Sequence, residues 1–321
     1  MTLQENELIK IRRDLHQIPE IGLEEYETSD YLLKIINGLP QENLEIKRWK
    51  TAILVHLNGE NKNYTIGYRT DIDGLPVEEK TGLPFSSKHE GRMHACGHDI
   101  HMTVALGVLS YFASHRPKYN MTFIFQPAEE NASGGMKLYQ SGELDEWMPD
   151  EIYALHDNPQ LPAGTIGCRK GTLFAGTCEI HVKFIGKSGH AAYPHQANDM
   201  VVAGAQFVNQ IQTIVSRNVD PIQSGVVTLG HFSAGTTGNV ISGVCQIDGT
   251  IRALTQENNL LIQKRVRTIA EGIAHSFDCE LEIDLHQGGY YPVENDDNTT
   301  EAFINYMKNE KNDELYTPDY A

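Results

Sequence analysis

The segment Met93-His94-Ala95-Cys96-Gly97-His98-Asp99-Ile100-His101 packs one thiol, three imidazoles and one carboxylate into nine consecutive residues. Those are the donor groups of a transition-metal site. Cys96 and His98 flank Gly97, so a bend at the glycine can aim both side chains at one ion. Thiolate with imidazole favours zinc, nickel, cobalt or manganese over calcium or magnesium. A Cys-x-His pattern this short also fits a buried thiol beside surface histidines. Glu129 and Glu130 offer a second kind of chemistry, because adjacent side chains diverge: one carboxylate can bind a metal while the other takes a proton from water. A solvated acidic turn is the other reading of that pair. His156 adds a further imidazole, and Asp71 and Asp73 add carboxylates able to orient one.

The elements that must position these groups are legible in outline. Residues 64–70, 121–125 and 151–155 read as apolar strands, and they run into Asp71 and Asp73, into Glu129 and Glu130, and into His156. Between the first two lies a helical pattern over 100–114, with Val104, Leu106, Val108, Leu109 and Phe112 as its buried side. Strands alternating with helices predict an α/β domain with a mixed, mostly parallel sheet and helices on both faces. Ligands gather beyond the carboxyl ends of such strands. Three polar strand ends are therefore expected to converge on the helix start that carries Cys96 and His98.

A second organisation spans 175–284. Residues 178–184, 225–229, 244–251 and 280–284 read as strands, and 198–216 and 256–277 as helices. The order β-α-β-β-α-β predicts a ferredoxin-like unit inserted into the first domain. Turn-rich residues 162–176 and 287–289 would be the two crossings. The expected domains are thus 1–174 with 285–321, and 175–284.

Composition narrows the partners. A formal charge of −17 over 321 residues argues against nucleic acid and anionic membrane, which need basic patches. Neither a signal peptide nor a membrane-spanning helix is expected, which predicts a cytoplasmic protein. Five scattered cysteines, Cys96, Cys168, Cys178, Cys245 and Cys279, read as reduced thiols.

Four ordered motifs carry a resemblance to a known family. They are Arg69-Thr70-Asp71-Ile72-Asp73-Gly74-Leu75-Pro76, Met93 to Asp99, Gln126-Pro127-Ala128-Glu129-Glu130, and Gly186-Lys187-Ser188-Gly189-His190-Ala191-Ala192-Tyr193-Pro194-His195. The chain resembles the M20 metallopeptidase family, in particular its amidohydrolase branch with a cysteine metal ligand. This resemblance implies a zinc-peptidase-like catalytic domain with an inserted lid and dimerisation domain. It implies one or two divalent ions (zinc, manganese, cobalt or nickel) held by Cys96, His98, Glu130 and His156. It further implies Glu129 as the base that takes a proton from water and hands it to the leaving amine, with Asp71 supporting the metal cluster. His190, on the inserted domain, would stabilise the tetrahedral oxyanion; Asn239 and Arg252 would bind a substrate carboxylate, for which arginine offers a bidentate clamp.

The implied activity is hydrolysis of a small N-acyl amino acid, by a homodimer formed through the lid. Residues 171–178 and 219–227 resemble those members that release acetate from N-acetyl-L,L-diaminopimelate in lysine biosynthesis. A broader aminoacylase or hippurate-type hydrolase is the rival enzyme reading. Two departures from the pattern stand out. Asp157-Asn158-Pro159 follows His156 where many members of the branch carry bulkier apolar residues, which fits a more polar substrate. Family members also continue beyond residue 321 and bring a further histidine ligand, whereas no histidine follows Pro292 here. On that reading one metal site lacks a donor in the chain as given, and a metal-binding remnant without turnover is the alternative.

Overall fold

The computed structural model describes residues 2–288, 290–310 and 315–316. Gly289 of the second expected crossing lies outside them, as do residues 311–314 and 317–321 of the expected 285–321 segment. Two compact units are distinguished, Met1–Gln160 and Leu161–Ala321.

In the first unit, α1 (Glu5–His16) and α2 (Tyr26–Asn37) precede β1 (Leu44–Trp49), β2 (Ala52–Leu57) and β3 (Asn61–Asp71). Then come α3 (His98–Ser114), β4 (Tyr119–Gln126), α4 (Gly134–Gln140) and β5 (Glu151–Ala154). The sheet order is β1-β2-β4-β3-β5. β3 pairs parallel with both β4 and β5, so the parallel half of this mixed sheet is the half whose ends carry the polar groups. The β1–β2 and β2–β4 pairings are antiparallel, an addition that the alternating strand and helix pattern did not announce. Only Lys50 and Thr51 link β1 to β2, far too short a connection for a parallel crossover.

The two-residue period of the strands sends side chains to two cores. Ile53, Val55 and Leu57 pack with Leu15, Leu32, Ile36, Met102, Leu106 and Leu109 under the first three helices. Ala52 and Leu54 point the other way, against Ile124, Leu138 and Trp147. β5 sits at the sheet edge, with Ile152 53% exposed, so the strand that leads to His156 is supported from one side only.

The second unit opens with β6 (Ile166–Gly167), β7 (Gly171–Phe174), β8 (Gly176–Ile185) and β9 (Gly189–His190), then α5 (Met200–Ile211) and α6 (Thr213–Asn218). It continues through β10 (Gly225–Ala234), β11 (Val240–Ile241), β12 (Val244–Ala253), α7 (Gln256–Ser276) and β13 (Glu280–His286). β14 (Val293–Asn295), α8 (Asp297–Glu310) and β15 (Leu315–Tyr316) complete it. β10, β12, β8 and β13 form an antiparallel sheet in that order, with the expected β-α-β-β-α-β sequence of elements. Cys178, Ile180, Val182 and Phe184 alternate into a core with Phe207, Ile247, Ile262 and Val266. Their neighbours Glu179 and His181 stay on the solvated face, as an antiparallel sheet with helices on one side allows. Among the described residues no helix is long and apolar enough to cross a membrane.

Candidate metal centre

The first unit gathers the sequence-predicted donors. Asp71 ends β3, Cys96 and Gly97 lead into α3, His98 opens that helix, Glu129 and Glu130 follow β4, and His156 follows β5. Cys96, His98 and His156 each offer a donor atom within 4.8 Å of the others, and so do His98, Glu129 and Glu130. His98 belongs to both groups and joins them. Cys96 Sγ lies 3.4 Å from His156 Nε2, and His98 Nε2 lies 3.6 Å from Glu130 Oε1.

Local structure explains why these donors meet. Gly97 has φ +84°, and a Cβ there would sit 2.2 Å from Asp157 Oδ1, so both conformation and space demand glycine at the start of α3. Ala128 is buried with φ +52°, an uncommon conformation for a residue with a side chain. Its N–H donates at 2.8 Å to the buried Glu25 carboxylate, which also accepts the Thr51 hydroxyl at 2.6 Å. One residue pair further on, the Glu130 N–H donates to Asp73 Oδ2 at 2.9 Å. The turn that presents both glutamates is thereby pinned from two sides. Asp99 fixes α3 itself, accepting from His16 Nδ1 at 2.7 Å and pairing with Arg12 Nε at 2.8 Å.

Electrostatics show a cluster short of positive charge. Burial alone would lower the His98 pKa, yet the nearby Asp73 carboxylate, the Cys96 sulfur and the Asp71 charge outweigh it and raise the value to about 11. Hydrogen bonding to Cys96 likewise raises His156 to about 9 against the opposing effect of burial. Burial also opposes ionisation of Asp71, but the His101 hydrogen bond and the Arg69, His98 and His101 charges hold its carboxyl far below the usual range. Glu129 moves upward, first through burial and then through the neighbouring Glu130 charge. Carboxylates and a thiol gathered around two imidazoles favour a divalent cation, which competes with protons for the same donors. Both His98 ring nitrogens and Glu130 Oε1 are buried without a hydrogen-bond partner. Orphaned polar atoms of this kind are costly unless a ligand engages them. A thiol, two imidazoles and a carboxylate fit zinc or a similar transition ion, as the sequence suggested.

His101 and Asp157 join this centre although the sequence reading gave them no role there. Asp71, His98 and His101 form one donor group and His101, His156 and Asp157 another. The signal was present in the three-residue spacing of His98 and His101, which puts both on one face of a helix. His94 stays apart from these groups, and burial drives its pKa down to about 4.

The remaining predicted residues lie in the second unit. His190 pairs with Val240 between β9 and β11, and the Ala191 N–H donates to the Asn239 carbonyl at 3.2 Å, so His190 and Asn239 are close neighbours. Arg252 stands on β12, where one guanidinium nitrogen donates to the hydroxyls of Thr177 and Thr250 and to the Ile251 carbonyl.

Comparison with known proteins gives these groups a context. The family model described as peptidase family M20/M25/M40 matches residues 67–319. An N-acetyldiaminopimelate deacetylase of Lactiplantibacillus plantarum is 70% identical over 312 residues, covering 96% of this chain and 81% of the relative. A protein of the same name from Streptococcus gordonii is 58% identical over 309 residues, covering 96% and 82%. Among solved structures, the Bacillus subtilis YXEP protein, a dinuclear metal-binding peptidase of the M20 family, superposes with TM-score 0.81 at 31% identity. That match covers 98% of this chain and 82% of the other.

Proposed function

The chain belongs to peptidase family M20/M25/M40, and on that premise we propose that it is a metal-dependent amide hydrolase that converts N-acetyl-L,L-2,6-diaminopimelate to L,L-diaminopimelate and acetate in lysine biosynthesis. The observation that carries this reading is the donor cluster centred on His98, in a chain 70% identical to a deacetylase named for that substrate.

Cys96, His98, Glu130 and His156 hold one or two ions of zinc, manganese, cobalt or nickel. A divalent ion bound there supplies Lewis-acid polarisation and lowers the pKa of water to about 7. Glu129 takes the proton of the attacking water and passes it to the leaving amine nitrogen. Burial and the neighbouring Glu130 charge raise its pKa above the ordinary carboxylate value, which makes it a stronger proton acceptor. Asp71 supports the cluster through its contacts with Arg69 and His101. His190 donates to the tetrahedral oxyanion, and Asn239 and Arg252 bind a substrate carboxylate. Residues 1–174 with 285–321 form the catalytic domain and 175–284 the lid, through which two copies of the chain pair in the cytoplasm.

The test is acetate release from N-acetyl-L,L-diaminopimelate against N-acetylmethionine, with hippurate hydrolysis in parallel, each in the presence of manganese, cobalt or zinc. The diaminopimelate substrate is expected to turn over fastest. Faster hippurate cleavage would defeat the deacetylase reading, and metal uptake without turnover of any substrate would leave only a metal-binding protein.

A further inference from the structure

Beyond its contact with Asp71, the His101 ring has no role assigned above, yet it is tied on both sides. It is 1% exposed and lies one helical turn after His98. Nδ1 is 2.8 Å from Asp71 Oδ1, at the end of β3. Nε2 faces residue 157, beyond β5, where the backbone N–H donates to it at 3.0 Å and Oδ1 lies 2.9 Å away. Those two contacts call for opposite states of Nε2, acceptor in one and donor in the other. In either state the ring bridges the ends of β3 and β5.

His156 is the donor that this bridge reaches. It follows a four-residue edge strand, its side chain is 44% exposed, and Leu155 before it is 37% exposed. The His101 ring stands edge-on to the His156 ring, with centroids 4.7 Å apart, and lies 5.4 Å from that of His98. The missing Cβ of Gly97 lets the Asp157 carboxylate settle directly over the start of α3. His101 differs from His98 in one respect: both of its nitrogens make hydrogen bonds to protein groups, whereas neither nitrogen of His98 does, its nearest carboxylates lying 3.3 Å and 3.6 Å away.

We infer that His101 is a positioning residue that fastens the His156–Asp157 segment to α3, and so sets the Cys96, His98 and His156 donor geometry without touching ion or substrate. The inference rests on the metal-donor assignment proposed above. Outer partners of metal ligands govern affinity because an ion binds well only when all its donors are oriented together.

Cobalt binding by the full chain tests it, read as a dissociation constant and as the visible spectrum. His101→Asn places an amide near Nδ1 and keeps the reach to Asp71; His101→Gln places one near Nε2 and keeps the reach to residue 157. The expected result is a loss of about 10–100-fold in cobalt affinity for His101→Asn, with altered ligand-field bands but a retained Cys96-to-cobalt charge-transfer band. His101→Gln is expected to restore most of that affinity, with circular dichroism of the metal-free variants unchanged. Wild-type affinity and spectrum in His101→Asn, alongside weakened binding in His156→Ala, would overturn the inference and leave the donor set standing. Equal losses in the Asn and Gln variants would also overturn it, since the action would not run through residue 157. Undiminished binding in His156→Ala would remove the donor set and the inference with it.

Discussion

Glu129 and Glu130 are neighbours in sequence, yet they meet different surroundings. Glu130 has its N–H on Asp73 and an orphaned carboxylate oxygen 3.6 Å from His98, whereas Glu129 is pushed toward its protonated form by burial and by Glu130. That asymmetry supports the proposed division of labour into ligand and base. Glu129→Gln is expected to lower kcat by about 10²–10⁴-fold, the usual contribution of a positioned proton-transfer group, while metal content by elemental analysis stays at the wild-type level. Full activity in that variant would remove the base assignment. At this scale the donors were legible because thiol, imidazole and carboxylate are unambiguous chemical types at the ends of readable strands. Asp157 was read only as a polar departure from the family pattern. Its contact with His101 joins positions 56 residues apart, and no local spacing encodes that.

The elements add precision that side-chain type alone does not supply. α3 was expected over 100–114 and spans His98–Ser114, so His98 lies in its first turn, where Gly97 fixes the entry. Gly97→Ala would force a Cβ into the left-handed region and against Asp157. A loss of about 1–2 kcal/mol is expected from the backbone conformation alone, seen as a lower denaturation midpoint, together with weaker metal uptake from the displaced Asp157. The join between α1 and α3 carries a pH dependence. Hydrogen bonding to Asp99 raises the His16 pKa above the ordinary 6.5, against the opposing effect of burial, with Glu79 adding to the rise and Arg12 opposing it. A raised histidine contributes its full stability below the unfolded-state value of 6.5 and loses it as pH climbs through the folded-state value. The destabilisation caused by His16→Gln should therefore be larger at pH 6 than at pH 9, and equal chemical-denaturation midpoints shifts at both would refute the ionic contribution. The hairpin of β1 and β2 has no counterpart in the alternating pattern of strands and helices, because a two-residue link dictates a reversal where that pattern implies crossovers.

Across the whole molecule, the two units have separate cores, and every proposed metal donor belongs to Met1–Gln160. Metal is accordingly expected to stabilise the unit that holds these donors. At a free concentration one hundred times the dissociation constant, the gain is about 2.7 kcal/mol. Scanning calorimetry with and without a chelator should show this gain as a higher midpoint for the metal-loaded protein; an unchanged midpoint would refute metal binding by these donors. Sequence by itself determined the kinds of donor, the strands and helix that deliver them, the β-α-β-β-α-β unit and the family, because residue type and hydrophobic period are local properties of the chain. Tertiary structure decided which of the fourteen histidines share a cluster, that His98 joins both donor groups, and that Asp71, His101 and Asp157 form a bridge behind it. Those relations depend on β3 lying parallel between β4 and β5 in the sheet, an arrangement that brings residues 71, 130 and 156 together at the start of α3.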